Sequence, residues 1–464
     1  MSLWSSKQLE EACQVKAKNL SSYQVDGISI DSRTIVSGDL FIALAGDPGS
    51  GFTTSSSDPR DGHNFISKAV LRGAASVMVS REVESDCPQL KVDNTLTGLW
   101  NMAAYARNRM HGKVVGITGS SGKTTARHSL EQLLKRQENG RTHASIGSLN
   151  NHWGVPLSLA RMPVDSHYGI FEIGTNHPGE IAPLSRLVSP DIALLLNVLP
   201  AHIGNFKDLL AIQEEKLSIA SGLREGGLLI LPAGMDTSSI KGHKIMTFGL
   251  KAGEDGSTAD VYGEGFSDDV GTRVVANILG AEITYRLSAG GDHRILTSLA
   301  VMAMIYALGA DVQQAAKDFE LLSSPEGRGN EIVVNGIRII DDSYNANPVS
   351  MSFAIKAFKD LTGSGSRVAL LGEMLELGEL SQPSHQQVAN EAVGLDGVVT
   401  IGDGFRNSPG NWGHYSSCDE IEMSKLTSQI KKGDTILIKG SNKVFWQSKF
   451  VEKLVKQLSE SQRS

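Results

Sequence analysis

Short apolar runs rich in β-branched residues alternate with longer segments whose apolar positions recur at helical spacing. Strands are expected at Gly27–Ile30, Leu40–Leu44 and Ala75–Val79, then at Val114–Ile117, Gly169–Ile173, Ile192–Asn197 and Gly227–Leu231. A third set falls at Ile337–Ile340, Val368–Leu371, Gly397–Ile401 and Thr435–Ile438. In the second and third sets the alternation with helical segments predicts parallel sheets covered on both faces, so the fold class is α/β. Val301–Leu308, largely apolar, reads as a buried helix, and Leu209–Leu223 as another helical segment. Two stretches break the pattern. Gly46 to Asp61, rich in Gly, Ser, Thr and Pro, is most simply a mobile loop, and Leu321–Gly329 has linker composition. Three units result, 1–110, 111–322 and 323–464, with no internal repeat and a tail, Ser459–Ser464, expected to fray.

Composition narrows the function classes. At 464 residues the chain is too long for one ordinary core. A net charge of −7 and the lack of any Lys/Arg cluster argue against a nucleic-acid partner. No apolar run approaches the roughly 18–20 residues of a membrane span, so no membrane insertion is expected. The opening stretch, amphipathic and carrying Glu10-Glu11, is unlike a signal peptide. Cys13, Cys87 and Cys418 lie far apart without metal-ligand spacing and read as reduced. A cytoplasmic protein is expected.

The strongest chemical signal is KVVGITGSSGKTTARHSLEQLLK at 113–135. An apolar strand runs into Gly119-Ser120-Ser121-Gly122-Lys123-Thr124-Thr125, and a helical pattern follows. This context predicts a phosphate-binding loop, in which backbone N–H groups cradle β- and γ-phosphates. Lys123 would reach those phosphates and the Thr124 hydroxyl would ligate Mg²⁺. Ile117 stands where the strict pattern has its first Gly, and Gly116, Gly119 and Gly122 recur at intervals of three instead. The residues therefore predict binding of a nucleoside triphosphate.

Four further clusters carry polar groups. Glu172 ends a strand, at the edge where open α/β sheets bind ligands, and reads either as a Mg²⁺ ligand or as a solvated cap. His202 is either a second metal ligand or an exposed loop histidine, and the residues alone favour the latter. Lys216 sits in a helical segment, where an exposed lysine is the default. Asp341-Asp342-Ser343-Tyr344-Asn345-Ala346-Asn347-Pro348 follows an apolar strand and is either a functional edge or a tight polar turn.

Taken together, these stretches resemble the Mur ligase family, the ATP-dependent amide-forming enzymes of peptidoglycan synthesis. The resemblance runs from Asp31-Ser32-Arg33, Gly38-Asp39-Leu40-Phe41 and Asp61-Gly62-His63, through Thr118–Thr125, to Lys439-Gly440-Ser441. Its most specific string is 341–348, supported by Asn150-Asn151 with Gly154-Val155-Pro156, Glu172–Glu180 and Leu371–Gly378. That string is similar to the branch adding D-alanyl-D-alanine to UDP-N-acetylmuramoyl-tripeptide.

The resemblance implies an N-terminal α/β domain for the UDP-sugar, a central P-loop ATPase domain with a parallel sheet, and a C-terminal Rossmann-like domain that closes over ATP. It implies two Mg²⁺ sites, one at Thr124 and Glu172 and one near His202 and a carbamylated Lys216. It makes Lys123, Glu172, His202 and Lys216 catalytic. Arg328, Asp342 and Asn345 become nucleotide contacts beside the loop residues 119–125. Ser32, Arg33, Asn150, Asn151, Tyr344, Asn347 and Lys439 become substrate contacts, and a monomer is expected.

The chain also departs from the family. Gly-x-His-Asn with another Asn three residues on is common there, but here the run is Gly291-Asp292-His293-Arg294-Ile295-Leu296-Thr297. His152 stands where Glu is common, and Asn442–Trp446 is unusual. Two alternatives follow: a sister ligase with another acceptor (a diamino acid, or the folylpolyglutamate type), or a nucleotide-dependent binding module that joins nothing.

Overall fold

The computed structural model describes residues 2–15, 23–45, 61–138, 140–200, 203–238, 240–251, 259–268, 271–288, 290–361 and 365–460. The loop expected at Gly46–Asp61 lies outside them except for Asp61, as do His202 and 461–464 of the tail. Ser459 belongs to the final helix, Phe450–Glu460, and is not frayed.

Three principal sheets organise the described residues. The first is parallel and four-stranded, in the order Gly27–Ser29, Asp39–Ile42, Ser76–Val79, Gln89–Lys91. The central sheet has nine strands. Thr142–Ala144, Tyr168–Glu172, Lys113–Thr118, Ile192–Leu195, Leu228–Pro232, Lys244–Leu250 and Val261–Asp268 run parallel in that spatial order. Gly271–Ile278 and Ala281–Leu287 then add an antiparallel meander. The third sheet orders Asn330–Val334, Ile337–Asp342, Thr435–Lys439, Arg367–Gly372, Gly397–Ile401 and Gly413–Tyr415, parallel apart from its first pair.

The strands expected from the apolar runs are all present within a residue or two. The meander and the antiparallel pair Asn330–Val334 with Ile337–Asp342 are the departures from a purely parallel reading. Val274, Ala276 and Ile278 on one strand, and Ile283, Tyr285 and Leu287 on the next, point inward at period two. Leu209–Leu217 is helical but gives way to a 3₁₀ turn at Ser218–Gly222, short of the expected end.

Burial explains which faces meet. The helices Lys123–Gln137 and Asp292–Leu308 cover one side of the central sheet through Leu130, Leu134, Leu299 and Met302. Ile181–Val188 and Gly154–Ala160 cover the other, around Phe171 and Leu195. The helix Thr95–Arg109 packs on both the first and the central domain: Leu99 and Met102 join the N-terminal core with Leu157 and Ala160, while Ala103 joins the central one. Trp4 Nε1 donates to Ala160 O at 2.9 Å, and Arg107 Nε to Val188 O at 2.8 Å, across the same junction.

Phe171, fully buried, is the anchor of that second face. Phe171→Ala should cost about 3–5 kcal/mol, read as a lower urea midpoint. Val333→Ala, at a side chain 73% exposed, should stay within about 0.5 kcal/mol.

Candidate active site

The central strand Lys113–Thr118 lies between Tyr168–Glu172 and Ile192–Leu195, so three strand ends converge where the chain turns into the loop. Gly119 (φ +153°) and Gly122 (φ +79°) adopt backbone conformations that side chains rarely accept. A Cβ on Gly122 would also stand 2.9 Å from Leu196 Cδ2. Gly122 caps the helix Lys123–Gln137 without a side-chain hydrogen bond, leaving the first N–H groups to an anion. Asn197 braces this loop. Its Oδ1 accepts from Ser120 N and Ser121 N, both at 3.0 Å, and its Nδ2 donates to Ser121 O at 3.1 Å. The Lys123 ammonium folds back to donate to Gly119 O at 2.6 Å. Burial lowers its pKa and Arg328 adds to that, while Glu172 opposes both.

Behind the loop, Thr124 Oγ1 donates to Glu172 Oε2 at 2.7 Å, and Asn150 Nδ2 donates to Glu172 Oε1 at 2.7 Å. Glu172 is 1% exposed, so the reading of it as a solvated cap is corrected: the parallel sheet carries it inward. Lys216 is likewise not the exposed lysine expected of its segment. It is 4% exposed, on a helix that packs against Ile181–Val188 and the 3₁₀ turn Ser218–Gly222. Burial, with Lys123 nearby, pulls its pKa down from 10.5 to about 7, against the opposing pull of Glu215. The neighbouring Glu215 is engaged elsewhere, accepting from Gly179 N and Ile181 N at 2.7 and 2.8 Å.

The facing wall comes from the C-terminal domain. Lys439 Nζ donates to Asp342 Oδ2 at 2.6 Å and to Asn345 O at 3.2 Å. The Arg328 guanidinium lies 4.4 Å from the Tyr344 ring centroid, with Trp446 edge-on behind that ring. Asn347 caps the helix Pro348–Lys359 by accepting from Ser350 N at 2.9 Å. The walls touch through a Ser148–Tyr344 hydroxyl hydrogen bond and through His293 stacked on Phe353 at 5.5 Å. Burial, helped by Arg294, lowers the His293 pKa to about 4, so this stack is neutral.

Between the walls lies a cavity of about 570 Å³. Ser120, Ser121, Gly122, Lys123, Thr125, Asn150 and Glu172 line it from one side, and Arg328, Asp342, Tyr344, Asn345, Asn347 and Lys439 from the other. Gly119 and Thr124 sit directly behind. Lys216 does not line it, but its charge reaches Lys123. Ser32 and exposed Arg33 belong to the N-terminal domain, where Arg33 pairs with Asp31 at 2.7 Å. Asn151 turns away and accepts from Gly154 N at 3.0 Å at the start of a helix. Sequence reasoning assigned no role to Asn197, Ser148 or Arg294. Asn197 carried a signal as a polar residue just past an apolar strand, and Arg294 as a departure from the family pattern.

Residues 117–305 match the Mur ligase middle domain, and residues 327–442 match the Mur ligase, glutamate ligase domain. With relatives above 30% identity along nearly its whole length, the chain belongs to the Mur ligase family. One such relative is the UDP-N-acetylmuramoyl-tripeptide--D-alanyl-D-alanine ligase of Escherichia coli, 31% identical over 458 residues, with 94% of each chain covered. Among solved structures, MurF from Acinetobacter baumannii superposes with a TM-score of 0.82 at 29% identity, covering 98% of this chain and 99% of that one. MurF from Thermotoga maritima, in complex with ADP, superposes at 0.76 and 27% identity, covering 94% and 98%.

Asn197→Ala removes three hydrogen bonds from the loop and should weaken ADP binding by about tenfold or more. The thermal midpoint should fall by a few degrees, because the lost bonds each contribute about 1 kcal/mol while the apolar cores stay intact. Titration calorimetry with a melting curve checks both.

Proposed function

We propose that this chain is an ATP-dependent ligase that joins D-alanyl-D-alanine to the terminal carboxylate of UDP-N-acetylmuramoyl-tripeptide. The observation that carries this reading is the cavity itself, with a phosphate loop on one wall and the string 341–348 on the other. The curated relatives that share nearly the whole chain bear the name of that activity.

The chemical problem is to make a carboxylate react with an amine in water. The tripeptide carboxylate attacks the γ-phosphorus of ATP, giving ADP and an acyl phosphate. The dipeptide amine then attacks the acyl carbon, an amide forms and inorganic phosphate leaves. The protein contributes position and charge. The N–H groups at Gly122–Thr124 and the Lys123 ammonium hold the β- and γ-phosphates. Arg328, Asp342 and Asn345 close on the nucleotide from the other domain, and Tyr344, Asn347 and Lys439 on the second substrate. Ser32, Arg33 and Asn150 serve the UDP-peptide, whereas Asn151, expected to join them, holds the start of the helix Gly154–Ala160. Contact of the two walls excludes water, which would otherwise hydrolyse the acyl phosphate.

Thr124 and Glu172 present a buried hydroxyl and carboxylate beside the loop. Such all-oxygen donors suit Mg²⁺, which is usually held by one or two carboxylates together with substrate phosphates. When bound, Mg²⁺ would offset charge on those phosphates. His202 and Lys216 are proposed for the second site. A buried ammonium beside Lys123 is doubly disfavoured, so Lys216 is poised as a neutral amine. Addition of CO₂ with loss of one proton would convert it to a carbamate, a carboxylate-like ligand that Lys123 attracts.

ADP release with UDP-N-acetylmuramoyl-tripeptide should rise sharply when D-alanyl-D-alanine is added, with a UDP-pentapeptide mass appearing. Release indifferent to the dipeptide, with no new mass, would overturn the reading. Lys123→Ala and Lys216→Ala should each abolish most activity while the melting curve persists, and short carboxylic acids should partly rescue the second. Since CO₂ adds only to the neutral amine, bicarbonate activation should grow as pH rises through about 7.

A further inference from the structure

Arg294 lines the cavity from the first turn of the helix Asp292–Leu308; its backbone N–H donates to Gly291 O at 2.9 Å, while its guanidinium makes no hydrogen bond among the described residues. Its charge faces Asp342 and Glu331, but both carboxylates are already engaged. Lys439 holds Asp342 at 2.6 Å, and Arg338 takes Glu331 through two nitrogens at 2.8 and 2.5 Å. The guanidinium instead lies over Gly329, where a Cβ would come within 2.2 Å of its Nη2. Glycine at 329 is what leaves room for it. A partly buried guanidinium without a counterion of its own is costly unless an anion completes it.

The surroundings identify that anion. One turn further along the same helix, Thr297 Oγ1 stands 3.5 Å from where a Cβ on Gly122 would be, so Arg294 is about one helical turn from the phosphate loop. Thr297 donates to His293 O at 2.8 Å, which leaves Arg294 as the ligand-facing donor of this turn. The helix start is capped by Gly291 without a side-chain hydrogen bond, so its N–H groups favour negative charge too. Arg328 flanks the same space and is drawn over Tyr344 rather than to a carboxylate.

We propose that Arg294 is a phosphate contact of the bound nucleotide, a cation placed where the family commonly carries a neutral amide. The proposal rests on the nucleotide-binding reading above. Its consequence is that this side chain contributes to affinity through the phosphates and not through the base.

ADP and adenosine are titrated calorimetrically into the full chain and into Arg294→Asn and Arg294→Lys. The Asn variant should lose about tenfold or more in ADP affinity, with adenosine affinity changed less than about twofold. The Lys variant, which keeps the charge but loses the fork, should fall between. ADP affinity within about twofold of the unaltered chain, or an equal loss for adenosine, would overturn the proposal. Should the Asn variant fail to fold, an unchanged ADP affinity in the Lys variant would overturn it equally. An unaltered chain that binds no ADP would instead overturn the ligase reading, and this contact with it.

Discussion

The buried carboxylate of Glu172 is the interaction on which the rest of the site depends. It ends the strand beside the one that feeds the phosphate loop, and its oxygens accept from Thr124 and Asn150. Those two bonds tie the first turn of the loop's helix, the adjacent strand and the 145–150 segment into one unit. A carboxylate at 1% exposure persists only because each oxygen is matched by a donor and Lys123 lies close by. Loop geometry, lysine position and charge balance therefore form a single arrangement.

The site is completed across a domain boundary. One wall is backbone N–H groups and a lysine, and the other is a carboxylate–lysine pair with an arginine held over an aromatic ring. The Ser148–Tyr344 and His293–Phe353 contacts join them without charge. Neither contact engages a charged side chain of the cavity, so the ionic groups of both walls keep their own partners there.

Much of this was legible in the chain. The loop could be read because its backbone requirement is written as Gly119 and Gly122, and the parallel strands because burial on both faces leaves continuous apolar runs. The meander at Val261–Leu287 escaped because its alternating signal is interrupted by Gly263, Gly265, Gly271 and Gly280. Lys216 could not be read from its neighbours. Its burial comes from how a helix docks, a tertiary property that local spacing does not encode. The same holds for Arg294, whose isolation depends on Arg338 and Lys439 engaging carboxylates from strands far along the chain. Asn151 shows the converse, a polar residue of the matching string that serves as a local cap.

The shared helix Thr95–Arg109 sets how the molecule can bend. Leu99, Met102 and Ala103 stitch the first two domains into adjoining apolar cores, and Trp4 and Arg107 fasten the seam with buried hydrogen bonds. Prising that seam open would wet a large apolar surface, whereas the third domain faces the other two across the cavity and meets them at the Ser148–Tyr344 hydrogen bond and the His293–Phe353 stack. The first two domains are therefore joined as one apolar body, and the chain passes to the third through Gly327 and Gly329, both at positive φ. The four-stranded N-terminal sheet and the phosphate loop are thereby held in one frame, set by a single shared helix.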